Sequence, residues 1–175
     1  MQSACASLRG PKRALRTSSQ ITMDTVAQTK ALFHPLRAAM IDFDERSIRQ
    51  HFARLIAPDA CVHMCFPFGD MNGPDAFYQA TFAPLHRAWP DLERRDHIVI
   101  GGQDEHGQNW IGCCGFYCGT FANTWLGIPP TGQLTHMRFH EFYRIENNQI
   151  VEIQAIWDIP EVMMQAKAWP LAPSL

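Results

Sequence analysis

The chain predicts an α+β domain: a cone-shaped, curved antiparallel sheet packed against N-terminal helices. Two observations carry this. The first half repeats its apolar residues at helical spacing, whereas the second alternates with the period of strands. Helices first and strands afterwards, without regular alternation, is the pattern of an α+β fold. Such a sheet, closed on one side by helices, has a mouth where small molecules bind.

The elements follow in order. Residues 24–40 read as helical, with Pro35 expected to bend or divide the segment. Asp44 is placed to cap a second helix running to Ile56, whose Ile48, Phe52 and Leu55 share one face. A short strand, 61–66, leads through the turn-rich FGDMNGP to a helix opening at Pro74, with Phe77, Leu85 and Trp89 on its buried face. Pro84 should bend that helix and Trp89-Pro90-Asp91 should end it, with Asp91 a turn or capping residue. Strands are expected over 95–101 and 109–121, joined by GGQDEHG. Those glycines join strand to strand, so they are no phosphate cradle, which needs a helix N-terminus directly after. The stiff loop LGIPPTG precedes a final hairpin over 134–160.

With 175 residues, 46% of them hydrophobic, one domain is expected over 24–175, behind a flexible basic tail at 1–23. That tail has the Arg- and Ser-rich composition of a transit peptide, and translation starting at Met23 is an equal reading. Net charge is −2, and Arg9, Lys12, Arg13 and Arg16 are the only charged residues before Met23, so the body is more acidic still. An acidic body argues against nucleic acid. No apolar run reaches the roughly 18 residues of a membrane span. Six cysteines without a secretory signal point to reduced thiols and a cytoplasmic protein. Cys61, His63 and Cys65 alternate on one strand face, a geometry that can begin a zinc site, although buried Cys is commonly a small hydrophobe; no metal and no cofactor is assigned.

The hairpin concentrates the chemistry, and its register decides which side chains meet. An even loop centred on Asn147-Asn148 sets Tyr143 opposite Glu152. An odd loop with a bulge sets Arg144 opposite Glu152 and Arg138 opposite Asp158, two opposite-charge pairs worth about 0.2–1 kcal/mol each, and is preferred. One face then carries His136, Arg138, His140, Arg144, Glu152, Gln154 and Asp158. The other carries Met137, Phe139, Glu141, Tyr143, Val151, Ile153, Ala155 and Trp157. Glu141 stands alone among apolar neighbours, and a carboxylate so desolvated has the raised pKa of a general acid or base. The alternative is a Glu at the sheet rim, or tied to an Arg not visible in the pattern, that only fixes structure.

Asp158 and His63 complete the catalytic candidates, His63 entering the pocket from the opposite wall with Met64 and Phe66 beside it in the core. For Arg138 with Asp158, a structural salt bridge is the competing reading. His136 and His140 read equally as solvated or dimer-contact residues. Trp110, Tyr117, Trp125, Phe139 and Trp157, with Arg138 and His140, are the candidate pocket lining, and the aromatics serve packing equally well.

PLHRAWPDLERRDH, GFYCGTF, the IPPTG loop before MRFHEFYRI, and the I-V-E of the last strand resemble the SnoaL-like polyketide cyclases of the nuclear transport factor 2-like (cystatin-like) superfamily. The resemblance covers residues 24–170. It implies a cone-shaped α+β barrel, usually dimeric, with a deep pocket for a small-molecule substrate. It also implies a carboxylate acting as acid and base in a ring closure without metal or organic cofactor. The family's Asp lies three residues after the Glu of the last strand, and here that position is Ala155. Glu141, directly across, is the replacement candidate. One fold hosts many functions, so an enzyme of cyclisation, isomerisation, dehydration or ester chemistry and a non-catalytic ligand-binding module both remain; a protein-delivery module needs an exposed apolar patch.

Overall fold

A computed structural model describes the backbone of residues 18–170 and side chains from residue 26 onward. The first helix, α1 (Ser18–Ile41), is continuous through Pro35 and begins six residues before the expected domain start; the remainder of the basic tail, residues 1–17, lies outside the described residues. In α2 (Glu45–Leu55), Asp44 accepts the backbone N–H groups of Arg46 and Ser47, as its capping role requires. Ile48, Phe52 and Leu55 are all buried. The chain then turns extended at once as β1 (Ile56–Met64), five residues earlier than the strand expected from residue 61.

The FGDMNGP segment includes a short strand, β2 (Asp70–Asn72). The expected single helix is then built in three pieces: α3 (Gly73–Phe77), a π turn (Tyr78–Phe82) and α4 (Ala83–Ala88). The wide turn falls directly before Pro84, whose missing N–H and bulky ring disturb the ordinary helical ladder. Asp91 accepts both the backbone N–H and the hydroxyl of Thr120 at 2.7 and 2.8 Å, so it ties the end of the helical half to the sheet.

Strands β3 (Glu93–Gln103), β4 (Asn109–Thr120), β5 (Leu134–Glu146) and β6 (Gln149–Trp157) follow, then α5 (Ile159–Gln165), which the pattern did not announce. The sheet is six-stranded and curved, in the order β2-β1-β6-β5-β4-β3, antiparallel throughout except that β1 lies parallel to β6. It does not close. Gly115 marks a bulge in β3 between Asp96 and Ile98, where a Cβ would sit 1.9 Å from the Arg95 carbonyl oxygen.

The hairpin takes the bulged register. Arg144 faces Glu152, the shift falls between Arg144 and Ile145, and Glu141 faces Ala155. Arg144 donates to Glu152 at 2.8 Å and also reaches Glu146. Arg138 and Asp158 come opposite too, but only through the backbone: the Asp158 N–H donates to the Arg138 carbonyl at 2.8 Å, and no ion pair joins their side chains. Met64 is core, whereas Phe66 is 91% exposed. The chain leaves the strand after Met64, and Phe68 instead packs against Trp125 and Trp157.

Candidate functional site

The inner face of the sheet carries Tyr117 from β4, Phe139, Glu141 and Tyr143 from β5, and Ala155 and Trp157 from β6, all buried. Glu141 is not alone there. Arg94, on the inner face of β3 and fully buried, extends over the Phe139 ring at 4.0 Å and donates to Glu141 Oε2 at 2.5 Å. Tyr143 donates to the same oxygen at 2.6 Å. Tyr117 and the Trp157 indole each donate to Oε1 at 2.9 Å. These four donors occupy both oxygens twice, the full acceptor capacity of a carboxylate. The solitary carboxylate of the sequence pattern is therefore the centre of a satisfied polar cluster.

The cluster extends outward. Arg94 also donates to Tyr117 at 2.6 Å and to Asp96 at 3.0 Å, and Asp96 accepts from Arg37 of α1 at 2.7 Å. Alternating charges thus run from a helix through β3 to β5. Burial alone would lower the Arg94 pKa, but the charge of Glu141 and its neighbours holds it well above the ordinary guanidinium range. Burial pushes both Tyr117 and Tyr143 well above the ordinary phenol range, which keeps them as donors. The Cys113 thiol of β4, the ladder partner of Glu141 on β5, is pushed up to about 12 by burial.

Arg94 retains one further nitrogen, Nη2, which is buried with no hydrogen-bond partner among the described residues, and the Trp125 indole nitrogen is in the same condition. Trp125 stacks edge-on to Trp89 and lies beside Trp157, so it belongs to the same interior. Arg94 lies just outside the strand expected from Arg95, so the sequence pattern does not set it on the inner face. Starting the strand at Glu93 sets Arg94 on the inner face with Leu92, two residues before it.

The remaining candidates lie elsewhere. His63 points to the outer face of the sheet and bonds Asp70 at 2.9 Å, away from the Glu141 cluster. The alternation of β1 sends Val62 and Met64 inward, which forces His63 out. Asp158 caps α5 by accepting the Glu161 N–H. Arg138 and His140 are outward and exposed, and Trp110 is half-buried, its indole donating to Asp104 at 2.9 Å. Cys61, His63 and Cys65 do share the outer face, but among the described residues no group of three or more His, Cys, Asp or Glu side chains is arranged to hold a metal. None of the described helices is long and apolar enough to cross a membrane.

The outer face has cavities of its own. One, of about 460 Å3, has Gly102 and Gly112 beneath Ile100, Trp110 and Phe142. A second, of about 260 Å3, lies among His63, Cys65, His140, Phe142 and Ile156. A third, of about 290 Å3, lies among His97, Ile98, Cys114, Phe116, Arg138 and His140.

Solved structures with this fold include AclR of Streptomyces galilaeus, described as a candidate hydroxylase, at TM-score 0.66 and 19% identity over 85% of this chain and 91% of that one. IdmH of Streptomyces antibioticus, described as a candidate polyketide cyclase, superposes at TM-score 0.64 and 21% identity over 80% of this chain and 99% of that one. TsrD of Streptomyces laurentii does so at TM-score 0.63 and 17% identity, covering 81% and 96%. At such identities the likeness establishes the fold. Comparison with curated proteins finds no match. The model of the SnoaL-like polyketide cyclase family matches residues 35–166, a span that holds every member of the Glu141 cluster, and the chain belongs to that family.

Proposed function

We propose that the chain is a cofactor-independent acid/base enzyme acting on a small, partly apolar organic substrate, by cyclisation, isomerisation, dehydration or ester chemistry, with Glu141 as the proton-transfer group. The observation that carries this reading is the pairing of Glu141 with Ala155. The family pattern has a carboxylate at Ala155, and here the neighbouring strand returns one to the same inner face. Proton abstraction beside a carbonyl needs a base and a donor for the oxygen that becomes negative. Glu141 is the base in this reading, and the unpartnered Nη2 of Arg94 is the oxygen's donor. One of the four present donors must yield a lone pair of Glu141 to the substrate. Phe139, Trp157 and Trp125 supply apolar walls.

The test is Glu141→Gln under substrate screening, with folding followed by circular dichroism. Loss of turnover in a folded variant is expected; turnover retained overturns the assignment. A second reading, a ligand-binding module without chemistry, is favoured by one observation: both oxygens of Glu141 are already fully engaged. Mass spectrometry of the recovered compound separates the two, since a binder returns its ligand unchanged. The same reading takes the protein as a cytoplasmic homodimer.

A further inference from the structure

Packed elements enclose Glu141 on most sides. Strands β4 and β6 flank it with Cys113 and Ala155. Phe33 of α1 packs on Tyr143 at 4.5 Å between ring centres, and Phe82 of the π turn meets Tyr117 and Trp157 at 6.1 and 5.4 Å. Beyond Trp157, whose indole bonds Glu141, the closure is of another kind. Two short turns, 65–69 and 125–128, each bring one ring to it.

The first turn is pinned at its root. The Cys65 N–H donates to the Ala155 carbonyl at 3.1 Å, the Cys65 sulfur accepts the Trp157 N–H at 3.4 Å, and the Phe68 N–H returns to the Cys65 carbonyl at 3.0 Å. Phe66 points to solvent, while the Phe68 ring lies 5.6 Å from Trp157 and 6.2 Å from Trp125. Both tryptophans are buried and Phe68 is half-buried, so of the three rings solvent reaches Phe68. In the second turn, Trp125 and Ile128 exchange backbone bonds at 3.2 and 2.8 Å across Leu126 and Gly127. Leu126 takes φ +52, an uncommon backbone for a bulky side chain. The turn sets Leu126 toward solvent and Trp125 into the interior.

A buried indole N–H ordinarily finds an acceptor. That of Trp125, 2% exposed, has none among the described residues, and it stands one ring from the Glu141 cluster. We propose that Trp125 is a specificity-determining residue and Phe68 the gate before it. The Phe68 side chain turns outward on its pinned loop, a flat apolar ring of the ligand takes its place against Trp125 and Trp157, and the Trp125 indole donates to an oxygen or nitrogen acceptor on that ring. This rests on the reading that the ligand lies in the interior against Glu141, and it requires no chemistry there.

Two probes of like shape test it: acetophenone, which carries an acceptor oxygen, and ethylbenzene, which does not. Each is titrated into the nitrogen-15-labelled full chain while the indole N–H signals of its five tryptophans, assigned by single Trp→Phe variants, are followed by NMR. The Trp125 signal should move downfield with acetophenone and not with ethylbenzene. Phe68→Ala should tighten binding of both probes about tenfold, since the gate no longer has to open. Trp125→Phe should weaken acetophenone about tenfold and ethylbenzene less than twofold. A Trp125 signal unmoved by acetophenone in both the wild type and Phe68→Ala, or the two probes weakened alike by Trp125→Phe, overturns the role of Trp125. Probe affinity unchanged by Phe68→Ala overturns the gate. Binding is read without turnover, so turnover retained in Glu141→Gln removes the acid/base assignment and leaves Trp125 and Phe68 in place.

Discussion

Arg94 and Glu141 meet at 2.5 Å with neither side chain exposed, although they belong to strands that do not touch. Arg94 crosses beneath β4 to reach β5, so the pair staples the sheet transversely where the ladder bonds only neighbours. Removing one member of a buried pair leaves the other charged and unmatched, at about 3–5 kcal/mol.

Glu141→Gln is accordingly expected to lower stability by roughly 3 kcal/mol. The double variant Arg94→Met, Glu141→Gln should lose less than the two single losses combined, because no uncompensated charge remains. Urea unfolding of the four proteins measures the coupling. Additive losses would mean that the pair does not act as a unit.

All three tyrosines are held above their ordinary range, Tyr78 up to about 12, first by burial in every case. A group whose folded pKa is raised contributes stability below its unfolded pKa, and that contribution is lost as pH rises through the folded value. The alkaline limb should therefore begin near pH 10, where the unfolded phenols ionise. Tyrosinate absorbance is expected to appear together with unfolding. A tyrosine that ionises while the fold persists would contradict the burial described here.

At Gly115 the obstacle is backbone, not a yielding side chain, since the Arg95 carbonyl lies where the Cβ would go. Gly115→Ala should cost about 3 kcal/mol or more. The same change at Gly102, where nothing lies within 4 Å, should cost far less. Paired thermal melts decide whether the bulge or glycine's freedom is responsible.

Asp44 accepts two N–H groups at the start of α2. Asp44→Ala should cost about 1 kcal/mol, and Asp44→Asn much less. Equal losses for both would point away from capping.

Much of the fold could be read from the sequence because its signals are local. Asp44 capped what it promised to cap, and the charge pairing of Arg144 with Glu152 selected the bulged register over the even one. The misses have physical causes. The three-piece helix around Pro84 needed a π turn, which no apolar period announces. α5 is only seven residues long, too short for a firm periodic signal. Glu141 is legible in the hairpin pattern but its environment is not: its main partner lies 47 positions away on a strand not adjacent to its own, and the pattern of one hairpin cannot supply a contact across the interior. The outward course of His63, by contrast, is a local matter: Val62 and Met64 point inward, so the residue between them cannot enter the interior.

The parallel joint between β1 and β6 has a consequence for synthesis. β1 emerges early, but apart from the short β2 its partner comes only with the last strand, beginning at Gln149. Until then an edge containing Val62 and Met64 stays open on the growing chain. The meander from β3 to β6 is built from sequence neighbours and can assemble first, whereas docking β1 must wait for a closure of some ninety residues. Productive folding on the ribosome is therefore expected to await release of the C-terminal hairpin. Truncations that end before β6 should accumulate as aggregation-prone chains, not as smaller stable domains.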